Sequence, residues 1–192
     1  TLMLALLRIV ELDSGHIYLD GVDIQTLGLA KLRSMIAVIP QDPVLFSGTV
    51  RTNLDPFRKY EDQKLLDILA RVGLYSTTSG ESSAYSLSSL TNAQIRSLDD
   101  EVSEAGSNFS VGQRQLLVIA RALLCGASVI IMDEATAAVD AETDSKIQTV
   151  MKTEFSDSTC ITVAHRLNTI MDSDMILVMD DGRAAEFDTP RA

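Results

Sequence analysis

The feature that most constrains the fold is a short, wholly apolar run that ends in two acids. The run Val129–Met132 carries no polar side chain, and Asp133 and Glu134 follow it directly. Four apolar residues in a row, three of them β-branched, indicate a strand that is buried on both faces, which is typical of parallel sheets covered by helices. The run therefore predicts an α/β protein with the two acids at the carboxyl end of a central strand.

These two acids have a functional and an ordinary interpretation. Ligands of open α/β sheets bind beyond the carboxyl ends of the strands. There an Asp can hold Mg²⁺, commonly through water, and an adjacent Glu can polarise an attacking water. An acidic N-cap of the following helix would produce the same pattern. The motif by itself leaves both interpretations open.

Strand and helix patterns alternate at both ends of the chain, which predicts a mainly parallel sheet covered on both faces. The predicted strands are His16–Asp20, Ile36–Ile39 (stopped by Pro40), Thr159–Val163, and a hairpin of Met175–Met179 with Arg183–Phe187. The predicted helices are a buried one at Leu2–Val10 and others at Leu29–Arg33, Asp62–Val72, Gly112–Leu124 and Ala141–Phe155.

The middle of the chain, 50–124, is almost all helix and loop. Residues 76–90 form a Ser-rich loop in which nine of fifteen residues are Ser or Thr, and Asn92–Leu98 is predicted as a short helix. We therefore interpret 1–192 as one domain. Its α/β core comprises 1–49 and 125–192, and 50–124 is a helical subdomain inserted into that core.

Composition narrows the class of protein. The 192 residues are 46% hydrophobic and 22% charged, as in a folded domain, and the net charge is −11. An acidic surface repels phosphate backbones, so we expect no nucleic-acid partner. Cys125 and Cys160 both sit in apolar runs and are predicted to be buried thiols in a reducing compartment. The longest apolar stretch is too short to span a bilayer, so any membrane connection would come through a partner or through sequence outside these residues.

A second motif opens the predicted helix that precedes the apolar strand. Ser110 and Gln113 have the spacing of a capping box, in which each side chain satisfies the backbone of the other. The same helix N-terminus, with Gly112 allowing close approach, would suit an anion. Both interpretations can hold at once.

The order of several motifs is more specific evidence of function than any one motif, since Gln41, Asp140 and His165 are individually unremarkable. The sequence has Gln41, then Ser110–Gln115, then Val129–Glu134, then Ala137–Asp140, then His165. This order and spacing resemble the ATPase domain of ABC transporters, a fold related to the P-loop NTPases. The segments Val38–Gly48, Asn53–Phe57, Asp133–Asp140 and Ala164–Ile170 resemble the C subfamily, the multidrug-resistance-associated exporters, and most of all its second nucleotide-binding domain.

The resemblance implies roles for the residues that match the family's motifs. Gln41 would bind Mg²⁺ with Asp133, Glu134 would be the catalytic base, and His165 would contact the γ-phosphate. The residues Ser110, Val111, Gly112 and Gln113 would cap an ATP held by a second nucleotide-binding domain, arranged head to tail, and Asp140 would lie between the two sites. ATP and Mg²⁺ are the implied cofactors. The implied partners also include transmembrane domains, which would place this domain at the cytoplasmic face of a membrane.

The sequence also departs from the family's pattern. The phosphate-binding loop with its Lys is not among the 192 residues, and Thr1 would directly follow that loop and bind ATP. The family's C-terminal helices would lie beyond Ala192, and the loop around Ser76–Asp99 is longer than usual. Val111 replaces the Gly of the commonest signature. We expect the chain alone to lack ATPase activity and to bind Mg-ATP only weakly.

The resemblance implies an ATPase domain that drives export of organic anions, conjugates or drugs. Three other functions fit parts of the same pattern. The chain could belong to a regulatory member of the same subfamily, in which nucleotide gates a channel or reports to one. It could be an ABC ATPase that acts on DNA or ribosomes, although the charge argues against that. It could also be an inactive fragment when isolated.

Overall fold

The computed structural model describes residues 2–75, 95–133, 139–164 and 170–190. The chain divides into two compact units, Thr1–Ile161 and Thr162–Ala192. The predicted Ser-rich loop at 76–90 lies outside the described residues, as does much of the predicted helix Asn92–Leu98, and its described part, 95–98, is not helical. The predicted boundaries of the helical subdomain, 50 and 124, stay a prediction.

The elements alternate along the first unit much as the sequence pattern predicts. Its helices are α1 (Leu2–Leu6), α2 (Leu29–Ser34), α3 (Val50–Leu54), α4 (Asp62–Arg71), α5 (Val111–Cys125) and α6 (Ala141–Glu154). Its strands are β1 (Tyr18–Leu19), β2 (Val22–Asp23), β3 (Ile36–Ile39), β4 (Gly48–Thr49), β5 (Glu101–Val102), β6 (Val129–Asp133) and β7 (Thr159–Val163), the last of which continues past the unit boundary.

The central sheet has the strand order β3-β6-β7. Strands β3 and β6 pair in parallel, with Ile36 opposite Val129 and Ile39 opposite Met132. Because Pro40 has no N–H to donate, it ends β3 where the sequence predicted. The α/β fold class with a parallel sheet is confirmed.

Alternate residues of the two paired strands enter two different apolar clusters, one on each face of the sheet. In β6, Ile130 belongs to the larger cluster, whereas Val129 and Ile131 belong to the smaller one. Successive side chains of a strand point to opposite faces, so this division shows that both faces are covered. The continuous apolar run of β6 follows from that double burial.

Helix α5 forms the centre of the larger cluster, and residues of the 50–102 segment pack with it. Leu65 and Leu69 of α4 are fully buried in the same cluster. A backbone hydrogen bond joins the segments on either side of residues 76–94. The N–H of Ile95 donates to the carbonyl of Leu74 over 3.1 Å. Both of these residues are buried.

Two predictions about burial are wrong. No residue of α1 is buried, and Leu2 and Leu4 are exposed, because only one side of this helix contacts the smaller cluster. Cys125 and Cys160 are both exposed. Cys125 is the last residue of α5, and Cys160 lies in an outer strand of the sheet, so their apolar sequence neighbours do not cover them.

The second unit contains an antiparallel hairpin, β8 (Ile176–Asp180) with β9 (Arg183–Asp188). Asp181 and Gly182 form its turn with φ of 44° and 75°. Positive φ at both central residues matches the twist of antiparallel strands, which explains the Asp-Gly pair. The predicted hairpin is confirmed.

Candidate functional site

The carboxyl edge of the paired strands brings two predicted site residues to one side of the sheet. Gln41 follows β3 after Pro40, and Asp133 is the last residue of β6. Since Ile39 lies opposite Met132 in the parallel register, the backbones that carry Gln41 and Asp133 leave the sheet at the same edge. Gln41 is exposed and Asp133 is half-buried.

The donor atoms at this edge suit a magnesium ion. Mg²⁺ prefers oxygen ligands and is commonly held by one or two carboxylates together with phosphate oxygens and water. The carboxylate of Asp133 and the amide oxygen of Gln41 are ligands of this kind, and phosphate and water would supply the others. In the described part of the chain, no group of three or more His, Cys, Asp or Glu side chains converges on a metal position.

Three predicted site residues lie outside the described residues. They are Thr1, Glu134 and His165. Glu134 directly follows Asp133 in the sequence, and His165 follows the described Ala164. Their roles therefore stay predictions.

The N-terminus of α5 is closed by a complete capping box. The N–H of Gln113 donates to Oγ of Ser110 over 3.2 Å, and the N–H of Ser110 donates to Oε1 of Gln113 over 2.8 Å. Ser110 is exposed, Val111 is half-buried, and Gln113 is buried. The capping interpretation is confirmed. Ser110 is the exposed N-cap of a fifteen-residue helix.

Gly112 has a contact that the sequence did not reveal. A Cβ atom at this position would lie 2.3 Å from Cγ2 of Thr143 and 3.6 Å from Cγ1 of Val139. The structure therefore brings the predicted signature at the start of α5 against the start of α6. The absent side chain is needed for this intramolecular contact.

Asp140 is the N-cap of α6. Its Oδ1 accepts a hydrogen bond from the N–H of Thr143 over 3.0 Å. This backbone hydrogen bond, followed by one from the Thr143 side chain, lowers the pKa of the exposed Asp140 carboxyl. The cap fixes Asp140 beside the residue that touches Gly112, so Asp140 and the signature are neighbours.

Sequence reasoning missed a half-buried guanidinium on the same helix as the signature. Arg121 of α5 donates to the carbonyls of Asn53 and Val44 and to Oδ1 of Asn53, over 2.6 to 2.7 Å. The Asn53 amide donates in turn to the carbonyls of Phe46 and Thr49. Desolvation lowers the pKa of Arg121. The signal was present in the sequence, as an Arg inside an otherwise apolar helix pattern, but its partners are 68 and 77 residues away.

A second missed residue is Gln115. Its side chain is fully buried, and its Nε2 donates to the carbonyl of Pro40 over 3.4 Å. The contact joins α5 to the turn that carries Gln41. In the helical pattern, a Gln at this position is indistinguishable from a solvent-facing polar residue.

The chain is similar to known proteins across nearly its whole length. A family model described as "ABC transporter" matches residues 1–137. The chain is 48% identical over 193 residues to the pleiotropic ABC efflux transporter of multiple drugs of Candida glabrata, covering 99% of this chain and 12% of that protein. It is 48% identical over 190 residues to ATP-binding cassette sub-family C member 3 of Rattus norvegicus, covering 99% of this chain and 12% of that protein.

The fold has a counterpart among solved structures. A bacterial Atm1-family ABC exporter with ATP bound matches with a TM-score of 0.78 and 33% identity. The match covers 98% of this chain and 31% of that one. The chain thus spans a small part of the proteins it resembles, 12% of the length of the two curated relatives above.

Proposed function

Because the chain belongs to the ABC transporter family, we propose that it is the ATP-binding and ATP-hydrolysing domain of an exporter for organic anions, conjugates or drugs. The observation that carries the proposal is the parallel pairing of β3 with β6, which delivers Gln41 and Asp133 to one sheet edge. Ligands of α/β sheets bind at that edge. The similarity to an ABC efflux transporter of multiple drugs and to a bacterial ABC exporter supports the exporter class.

Asp133 and Gln41 would hold Mg²⁺ at the sheet edge, and Glu134 would take the proton of the attacking water. The ion would neutralise charge on the phosphates of bound ATP. His165 would contact the γ-phosphate. Support for these roles comes from the motif order, together with the described positions of Gln41 and Asp133.

The signature serves a second nucleotide-binding domain. Ser110 is exposed at the N-terminus of a long helix, where free N–H groups and the helix dipole favour an anion. The capping box orients Ser110, and Gly112 packs on Thr143, whose N–H donates to Asp140. Two such domains, arranged head to tail, would enclose two ATP molecules.

The partner surface for transmembrane domains lies beside Gln41. Val44 and Phe46 follow Gln41 and are exposed apolar residues, with relative accessibilities of 55% and 68%. No helix in the described ranges is long and apolar enough to cross a bilayer. These partners would hold the domain at the cytoplasmic face of a membrane.

The experiment is ATP-dependent transport into inside-out membrane vesicles that contain the full-length protein. A fluorescent organic anion should accumulate with ATP and Mg²⁺ but not with a non-hydrolysable ATP analogue. A current that follows nucleotide binding, without accumulation, would instead support the regulatory alternative. Absence of both ATP hydrolysis and transport would refute the proposal.

A further inference from the structure

Gln115 joins two parts of the proposed ATP machinery. It lies on α5, two residues beyond Gln113 of the signature, and its side chain is fully buried. Its Nε2 donates to the carbonyl of Pro40, the residue directly before Gln41. A single amide therefore connects the helix of the signature with the turn that presents Gln41.

The oxygen of the same amide differs from its nitrogen in its contacts. Among the residues that the structure describes, no donor lies within hydrogen-bonding distance of the buried Oε1 of Gln115. A buried acceptor left unpaired destabilises a fold, whereas an apolar side chain of the same shape would avoid that cost. Stability therefore does not account for an amide at this position.

The chain beyond the turn has an anchor of its own. Arg121, farther along α5, binds the carbonyl of Val44 and both the carbonyl and the side chain of Asn53. The Gln115 bond acts on the turn before that anchor, where Gln41 and Asp42 are exposed. At 3.4 Å the bond is long, so the turn can approach α5 further.

We infer that Gln115 is a positioning residue: it sets the distance between the turn that carries Gln41 and the helix that carries the signature. The inference rests on the proposed function, since it concerns the placement of Gln41 at Mg-ATP. Movement of the turn toward α5 shortens the Gln115 bond, and movement away breaks it. The position of the signature helix is thereby transmitted to Gln41.

The test uses Gln115→Met in the full-length protein, which keeps the shape and removes both polar groups. The matched control is Leu117→Met on the same helix, also fully buried. We expect the kcat for ATP hydrolysis to fall roughly tenfold for Gln115→Met, because a small misplacement of a positioned group costs at least that much. The KM for ATP should change less than about twofold and the Tm should not fall, because no binding contact is removed and an unpaired acceptor is lost.

Hydrogen exchange locates the effect. In Gln115→Met, peptides that contain Gln41 and Asp42 should exchange faster, while those that contain Asn53 should stay as in the wild type because Arg121 still holds them. Leu117→Met should change neither. If Gln115→Met does not fold, Gln115→Leu, which also removes both polar groups, should show the same loss of kcat with a retained Tm.

The possible outcomes separate the two proposals. Normal kcat in both Gln115 variants, or a fall in kcat that follows a fall in Tm, would overturn this inference alone. A wild-type protein that does not hydrolyse ATP would overturn the proposed function, and with it the basis of the inference.

Discussion

Thr143 occupies the space that a side chain on residue 112 would need, and Gly112 leaves that space free. A Cβ on Gly112 would lie 2.3 Å from Cγ2 of Thr143, far inside van der Waals contact. Thr143 is branched at Cβ and sits in the first turn of α6, so it has few rotamers into which it can withdraw. The starts of α5 and α6 can lie this close only with glycine at position 112.

Gly112→Ala should therefore separate the two helix starts and lower the free energy of unfolding by about 1–3 kcal/mol. Thr143→Ser removes the clashing methyl group and keeps the hydroxyl, so the double variant should recover most of that loss. Gly28→Ala is the matched control, because nothing lies within 4 Å of a Cβ placed there. Chemical denaturation of the four variants measures the coupling. Additive effects of the Gly112 and Thr143 changes would contradict this account.

The cap of α6 makes stability depend on pH in a known direction. Hydrogen bonds from Thr143 lower the pKa of Asp140 in the folded state below its ordinary value. The stability that comes from the ionised carboxylate is therefore fully present above the pKa of the unfolded chain, and it is lost as pH falls through the lower folded pKa. Asn also caps helices but does not titrate in this range. Unfolding midpoints measured between pH 6 and pH 3 should fall less for Asp140→Asn than for the wild type, and parallel curves would refute the cap's contribution.

Glu134→Gln should stop ATP turnover in the full-length protein while ATP binding persists. The amide keeps the shape of the side chain but cannot take a proton, and loss of general-base catalysis typically costs roughly 10²–10⁴-fold in rate. Phosphate release and equilibrium ATP binding are the two measurements. Glu61→Gln, at an exposed position before α4, makes the same chemical change away from the site and should leave both unchanged. Near-normal turnover in Glu134→Gln would remove Glu134 from the role of base.

Arg121→Ala should destabilise the chain by at least about 2 kcal/mol, because hydrogen bonds to charged groups are worth roughly 1.5–3 kcal/mol each. Arg121→Lys keeps the charge but cannot reproduce the planar set of three donors, so it should be intermediate. Lys31→Ala removes an exposed charge and should stay within about 0.5 kcal/mol of the wild type. Thermal or chemical unfolding compares the variants. Equal stabilities for Arg121→Lys and the wild type would show that charge alone matters at this position.

The sequence predicted the elements whose signals are local. Strand β6 follows from a run of apolar β-branched residues, and the start of α5 follows from the spacing of Ser110 and Gln113. The edge that carries Gln41 and Asp133 was predictable for the same reason, since Asp133 directly follows one apolar run and Gln41 follows Pro40 at the end of another.

What the sequence did not predict depends on distant partners. The two-residue strands β4 and β5 pair Gly48 with Val102, and neither strand is long enough to show a period. The sequence pattern predicts that Gly112 lets an anion approach the backbone, whereas its contact with Thr143 depends on how two helices pack. The exposure of α1 was missed because an apolar sequence shows what a helix can bury but not what is available to cover it.

The hydrogen bond between Leu74 and Ile95 makes the segment between these residues a suitable place for an insertion. The polypeptide leaves and re-enters the described fold through two buried residues joined at one place. The entropy of closing a loop grows only with the logarithm of its length, so doubling the number of residues between these anchors costs about 0.6 kcal/mol if the insert is flexible. We therefore expect an insertion between these two positions to leave the packing of α4 against α5 unchanged.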